Sequence, residues 1–279
     1  MRSGGGVRTL AVINHKGGAG KTTTSVNLAA AIGETGARVL LIDLDPQGSA
    51  SQWMGARDDS RGMFDVFVGS VEFGALAQRT IVPGVDIVPS SPWLVTAERT
   101  LLGDLAAAFV RAVNRLPADW DIVIADCPPS IAFLSVAALT AFREVLIPVE
   151  THAIALPGVA SLVREMDQIR MSLNPGLGAP RILAGRVNRT VHSRQVLEEL
   201  QRTYGDLVLR STIRDSVRLA EAAGLRLPIT LSAHDSRVAN DFRAVASELL
   251  GIPAATTAPP AEAASGGWRR WLTRMPVTR

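Results

Sequence analysis

Short apolar runs alternate along the chain with longer stretches in which apolar residues recur every three or four positions, and this pattern predicts strands separated by helices. Residues 9–14 are the first run. Residues 22–34 follow as a helix, with Val26, Leu28, Ala29 and Ile32 at helical spacing and Gly33 or Gly36 to end it. The second run, residues 38–43, contains Val39-Leu40-Leu41-Ile42, the continuous kind that a strand covered on both faces requires. Further strands are predicted at 86–91 (with a turn), 121–126, 144–149, 181–187 and 208–213, and helices at 95–116, 159–173, 193–203 and 241–250. On the helix over 95–116, Leu101, Leu102, Leu105, Phe109 and Val113 share one face and read as core. Residues 52–76 have weak periodicity and several glycines, which predicts short helices and loops. The sum is an α/β fold: a doubly wound, mostly parallel sheet with helices on both faces.

Composition adds bounds to this outline. Apolar residues make up 47% of the 279 and charged residues 20%, enough for a sizeable core. We read residues 1–8 as a flexible N-terminus, 9–251 as one domain, 252–267 as a Pro/Ala/Gly linker and 268–279 as a basic-aromatic tail. A formal charge of only +3 means that any nucleic-acid contact must come from a local arginine patch. The single cysteine, Cys127, excludes an internal disulfide and reads as a small buried side chain. His15, His152, His192 and His234 have no ligand spacing, so no transition-metal site is expected. The N-terminal apolar run is too short for a signal peptide and no stretch approaches the roughly 18 to 20 apolar residues of a membrane span, so a cytoplasmic protein is expected.

Candidate chemistry begins where the first strand ends, in Asn14-His15-Lys16-Gly17-Gly18-Ala19-Gly20-Lys21-Thr22-Thr23-Thr24. Strand, glycine loop and helix together wrap phosphate: glycines let successive N–H groups turn inward, the helix start adds positive potential, and lysine adds a full charge. Gly20-Lys21-Thr22 is the end of a P-loop, with Lys21 aimed at the β- and γ-phosphates and the Thr22 hydroxyl at Mg²⁺. Gly17, Gly18, Ala19 and Thr23 complete the expected cradle. The general pattern asks for glycine where this chain has His15, and a second lysine, Lys16, opens the loop instead. Of 29 cationic residues, all but Lys16 and Lys21 are arginine. A compact charge on a flexible stem suits phosphate at those two places.

Two strand ends carry acids. Asp43 and Asp45, two apart in an extended segment, project to the same side at the edge where open α/β sheets bind ligands; capping the turn around Pro46 is the structural alternative. Asp126 closes the strand over 121–126, and a carboxylate there, beside a phosphate loop, holds Mg²⁺ through water.

The loop Lys16-Gly17-Gly18-Ala19-Gly20-Lys21-Thr22-Thr23 resembles that of the deviant Walker A ATPases, the ParA/MinD family with its Soj-like members, whose signature is the extra lysine. Asp43-Leu44-Asp45-Pro46-Gln47-Gly48, Asp86-Ile87-Val88-Pro89-Ser90-Ser91 and Asp126-Cys127-Pro128-Pro129-Ser130 resemble further family motifs in the family's order, over residues 9 to about 251. At Leu156-Pro157-Gly158 the chain departs from the family's Leu-Glu-Gly turn. The resemblance implies a slow, Mg²⁺-dependent ATPase whose ATP-bound homodimer binds DNA non-specifically at the nucleoid. A ParB-like partner stimulates its hydrolysis, and the cycle partitions plasmid or chromosome DNA. Distribution of a protein cargo and a MinD-like membrane cycle are the alternatives within the same fold. It also implies that Lys16 reaches phosphates held by the other subunit, that Asp45 positions the attacking water, and that Asp43 sits nearer the metal. Asn188 is implied to meet the adenine edge, with capping of its own loop nearly as good a fit to the residue. Arg189, Arg194, Arg214 and Arg218 are implied DNA contacts, against the alternative of ordinary solvated arginines. In the tail, Trp268, Trp271, Leu272 and Met275 share one helical face opposite Arg269, Arg270 and Arg274, and by resemblance to the MinD tail this implies a weak contact with an anionic membrane, the alternatives being DNA, a partner protein or no function.

Overall fold

The computed structural model describes residues 6–57, 62–99, 103–130, 132–151 and 156–252. The chain runs β1 (Arg8–Val12), α1 (Lys21–Gly33), β2 (Val39–Asp43), α2 (Ser49–Trp53), α3 (Met63–Phe67), α4 (Phe73–Leu76), β3 (Gln78–Arg79), β4 (Val85–Val88), α5 (Leu94–Arg99), α6 (Gly103–Asn114) and β5 (Ile122–Asp126). It continues through α7 (Phe133–Ala141), β6 (Glu144–Glu150), α8 (Leu156–Ser172), β7 (Arg181–Gly185), α9 (Val191–Tyr204), α10 (Val217–Gly224), α11 (Ile229–Ser232) and α12 (Arg237–Leu250).

Among the described residues seven strands form one sheet in the order β3-β4-β2-β5-β1-β6-β7, and of these only β3 runs antiparallel to its neighbour. The apolar runs explain this arrangement, because alternate residues of each strand feed two separate cores. Ala11, Leu40, Val123 and Val145 pack under α3, α6, α7 and α8, while Leu10, Leu41, Ile124 and Leu146 pack under α1 and α12. On the first face Phe67 stacks on Phe109 with ring centroids 4.7 Å apart. β5 lies between β1 and β2, and β6 lies on the other side of β1, so the connections leave the centre in opposite directions. The loops after β1, β2 and β5 therefore converge at one crevice, the place such sheets reserve for ligands.

Three expectations change. The strand over 208–213 does not form; Ile182↔Val208 and Val187↔Arg214 are isolated bridges. The reason lies in Glu248, whose carboxylate accepts the Arg210 and Ser211 N–H groups at 2.8 Å each and so replaces a ladder partner. One helix over 95–116 becomes two, α5 and α6, with residues 100–102, and hence Leu101 and Leu102, outside the described part. Helices α7, α10 and α11 appear where none was expected. The tail, 268–279, also lies outside the described residues, and among those described no helix is long and apolar enough to cross a membrane.

Candidate functional site

At the end of β1 the Asn14 side chain turns the chain into the loop: its Nδ2 donates to the Pro148 carbonyl at 2.7 Å and its Oδ1 accepts the Lys16 N–H at 3.0 Å. Gly18 and Gly20 have φ of 74° and 82°, the left-handed region where a Cβ is disfavoured. His15 is not in that region, so the position where the general motif has glycine accepts a side chain here; its Nε2 lies 3.4 Å from Glu165 Oε1. Gly20 caps α1 without any side-chain acceptor, which leaves the first N–H groups of the helix to an anion. Lys21, 6% exposed, folds back over the loop and donates from Nζ to the Lys16 carbonyl at 3.1 Å. Burial lowers its pKa, and the charges of Asp126 and Asp45 oppose that shift. Lys16 itself is exposed.

Asp126 is fully buried and takes two hydroxyl hydrogen bonds, from Thr22 Oγ1 at 2.7 Å and from Ser25 Oγ at 2.9 Å. Because Thr22 donates its proton to Asp126, its oxygen lone pairs remain available to a cation. Hydroxyl and carboxylate side by side are the hard donors that suit Mg²⁺. Among the described residues no cluster of three or more His, Cys, Asp or Glu assembles a metal site, so a cation here would rest on Thr22, Asp126, phosphate oxygens and water.

Asp43 stands in register with Asp126 on the neighbouring strand and is equally buried. Its oxygens are engaged by the following loop: Oδ2 accepts the Ser51 N–H at 2.7 Å and the Ser51 hydroxyl at 2.6 Å, and Oδ1 accepts the Asp45 N–H at 3.2 Å. That geometry makes Asp43 the organiser of the β2–α2 turn rather than an open ligand. Burial raises both carboxyls above the ordinary range, and the Asp126 charge raises Asp43 further. A divalent cation beside two such acids relieves that strain. Asp45 caps the turn with one oxygen, Oδ1, which accepts the Gln47 N–H at 2.9 Å, while its carbonyl accepts the Ser90 hydroxyl at 2.6 Å.

A cavity of about 490 Å³ extends from Gly18, Ala19, Gly20 and Thr23 past Pro148 and Glu150 to Arg186, Asp215 and Ser216, with α10 as its outer wall. A nucleoside attached to phosphates on the loop would lie there. Asn188 is not among the lining residues. Its Oδ1 accepts both the Thr190 N–H at 3.0 Å and the Thr190 hydroxyl at 2.7 Å, so the geometry is that of the loop-capping asparagine.

A family model described as an AAA domain matches residues 7–179. The chain is 35% identical to the sporulation initiation inhibitor protein Soj of Bacillus subtilis over 247 residues, covering 87% of this chain and 98% of that protein. It is 38% identical to the chromosome-partitioning ATPase Soj of Thermus thermophilus over 245 residues, covering 88% and 96%. The chain belongs to the ParA/MinD family of partition ATPases. A solved structure named cobyrinic acid a,c-diamide synthase, from Mycobacterium smegmatis with a bound ATP analogue and magnesium, superposes with a TM-score of 0.75 at 33% identity, covering 88% of this chain and 94% of that one. These names differ in the activity they state, and the fold is what this ParA/MinD member shares with the solved structure.

The arginines of this family member divide into two kinds. Arg189, in the loop after β7, and Arg194, in the first turn of α9, are exposed. The Val187↔Arg214 bridge lays that loop beside the segment leading to α10. Arg218 is exposed on α10, and Arg214, Arg218 and Arg237 line a second cavity of about 670 Å³. Arg214 is engaged within the protein, forking onto Asp241 through Nε at 2.6 Å and Nη2 at 2.7 Å. Sequence reasoning missed Ser25, Ser51 and Trp53. Ser25 had a signal, since it lies one turn after Thr22 on the same helix face. Ser51 and Trp53 had none, because their partners are fixed only by the fold.

Proposed function

We propose that this chain is a Mg²⁺-dependent ATPase that dimerises on ATP, binds DNA non-specifically and, with a ParB-like stimulating partner, partitions plasmid or chromosome DNA at the nucleoid. The observation that carries the reading is the pair of lysines on one phosphate loop, one folded inward and one exposed. Lys21 has a buried ammonium held in reserve on the Lys16 carbonyl. A nucleotide's β- and γ-phosphate oxygens are better acceptors than that carbonyl and would draw it over. Lys16 is exposed on the same loop and suits phosphates of a nucleotide held by a second copy of the chain. Thr22 and Asp126 would hold Mg²⁺, directly and through water, and the ion would neutralise charge on the β- and γ-phosphates.

Asp43 fixes the turn, and the turn presents Asp45 beside Lys21. There Asp45 would orient a water whose oxygen bonds to the γ-phosphorus as the bond to the β–γ bridging oxygen breaks; ADP leaves with that oxygen and the water's proton passes to phosphate or solvent. Asn188 keeps its loop in shape and leaves the base to the wall near Gly185 and Ser216. Arg189, Arg194 and Arg218 would meet DNA phosphates, with Arg214 as their internal support.

The test is Asp45→Ala measured by light scattering with ATP and Mg²⁺. We expect nucleotide affinity close to that of the unaltered protein, hydrolysis lower by about 10²-fold or more, and a persistent dimer. A monomer under saturating ATP would remove the role given to Asp45.

A further inference from the structure

α10 separates two cavities. Leu219, Ala220 and Ala223 line the phosphate-loop cavity, and Arg218 on the same helix lines the arginine cavity. Ser216, the N-cap of α10, lines both. A helix of two turns does not hold its own place in water, so its position depends on its ends and on what it packs against.

At the N-terminal end the Asp215 N–H donates to the Val187 carbonyl at 2.9 Å. At the C-terminal end the chain turns through Arg226, a non-glycine residue with φ of 54°, and the next carbonyl, that of Leu227, accepts the indole N–H of Trp53 at 3.0 Å. Trp53 is 8% exposed, and it lines the phosphate-loop cavity together with Gly18 and Gly20. It is also the last residue of α2, the helix that Ser51 anchors to Asp43 just after the Asp45 turn. Trp53 thus lines the nucleotide cavity, ends the helix that follows the Asp45 turn, and bonds the turn that ends α10.

We propose that Trp53 is a positioning residue that couples occupancy of the phosphate-loop cavity to the arginine cavity by setting the place of α10. The inference rests on the reading that the exposed arginines hold DNA, and it adds the route by which nucleotide governs them. A nucleoside filling the cavity presses on the indole and on Ala220 and Ala223 together, and the Trp53 hydrogen bond makes the Leu227 turn move with the indole. α10 then carries Arg218 to a new place.

The experiment uses the full chain, unaltered and as Trp53→Phe, which keeps an aromatic ring and removes the N–H donor. Binding of a non-hydrolysable ATP analogue with Mg²⁺ and binding of a duplex DNA with and without that analogue are both titrated, and melting checks that the variant folds. In the unaltered protein the analogue should strengthen DNA binding and change tryptophan emission, and the emission change should be smaller in the variant, which keeps the other four tryptophans. We expect the variant to lose about fivefold or more of the analogue-induced gain in DNA affinity, while its affinity for the analogue moves less than that. An undiminished gain in the variant overturns the coupling and leaves the DNA reading intact. Equal weakening of DNA binding with and without analogue overturns it in favour of a purely structural Trp53. Analogue binding without an emission change in the unaltered protein also overturns it, whatever the variant does. If the unaltered protein binds no DNA with or without the analogue, the DNA reading itself fails, whereas DNA binding that the analogue leaves unchanged overturns the coupling alone.

Discussion

At the phosphate loop, Asp126 is fully buried between the Thr22 and Ser25 hydroxyls and Lys21 is folded onto a carbonyl, whereas at the same edge of the sheet Arg189, Arg194 and Arg218 lie in solvent. In the first region each polar group fixes another, and low dielectric strengthens every contact. Loss of one member there disturbs the rest. In the second region each arginine acts as a separate point charge, screened by salt, and contributions add in small equal steps. Arg214 marks the border, because its fork onto Asp241 belongs to the first kind although its neighbours in sequence belong to the second.

The sharpest way to break this contrast is to exchange lysine for alanine on the two sides of the loop. Lys21→Ala should reduce hydrolysis by about 10²- to 10³-fold, as loss of a charge aimed at the transferring phosphoryl group does, and should weaken nucleotide binding in the monomer. Lys16→Ala should leave that first binding event nearly intact and instead reduce dimer formation and hydrolysis, read by nucleotide titration alongside light scattering. If both variants lose monomer binding equally, the division of labour between buried and exposed lysine is wrong.

The arginines should respond on a smaller scale. Arg194→Ala and Arg218→Ala should each flatten the log–log salt dependence of DNA binding by roughly 0.9, the loss of one phosphate contact, with little sequence preference. Arg214→Ala should leave that slope nearly unchanged and lower stability by about 1 kcal/mol through loss of the Asp241 fork. A salt titration with melting separates the two behaviours.

The smallest effect concerns pH. In the protein without nucleotide or Mg²⁺, Asp43 and Asp126 have folded pKa values above their unfolded ones, chiefly through burial. Between the two values the native state holds more protons than the unfolded chain, so these acids make stability fall as pH rises from the ordinary carboxylate range toward neutrality. Asp43→Asn should remove part of that fall. Melting curves of variant and unaltered protein across this window should show the shallower pH dependence in the variant, whose amide does not titrate, although it loses one acceptor for the Ser51 and Asp45 donors, and Mg²⁺ with nucleotide should narrow the difference in slope.

Much of the first region was legible in the sequence because its geometry follows from local spacing. A five-residue strand, a glycine loop and a helix place Gly18, Lys21 and Thr22 without reference to anything distant, and the apolar runs of β1, β2 and β5 place Asp43 and Asp126 in register. What escaped depends on contacts across the fold. The expected strand over 208–213 fails because Glu248, nearly forty positions on, takes its N–H groups. α7 lacks a polar stripe, being packed against α6 and α8 as well as the sheet, so periodicity did not reveal it. Asn188 is a local case instead: of the two roles open to it, the Thr190 N–H and hydroxyl two residues on engage its side-chain carbonyl in a loop cap.

The buried Cys127 gives this molecule a practical property. It is the only thiol in the sequence, it lies 1% exposed behind Asp126, and burial holds its proton on. Maleimide reagents, which need an accessible thiolate, should pass it by in the folded protein. A cysteine introduced at an exposed position such as Arg194 would then accept a single fluorophore against a silent background. Energy transfer between two differently labelled batches would report directly on how two copies approach one another and how long they stay together.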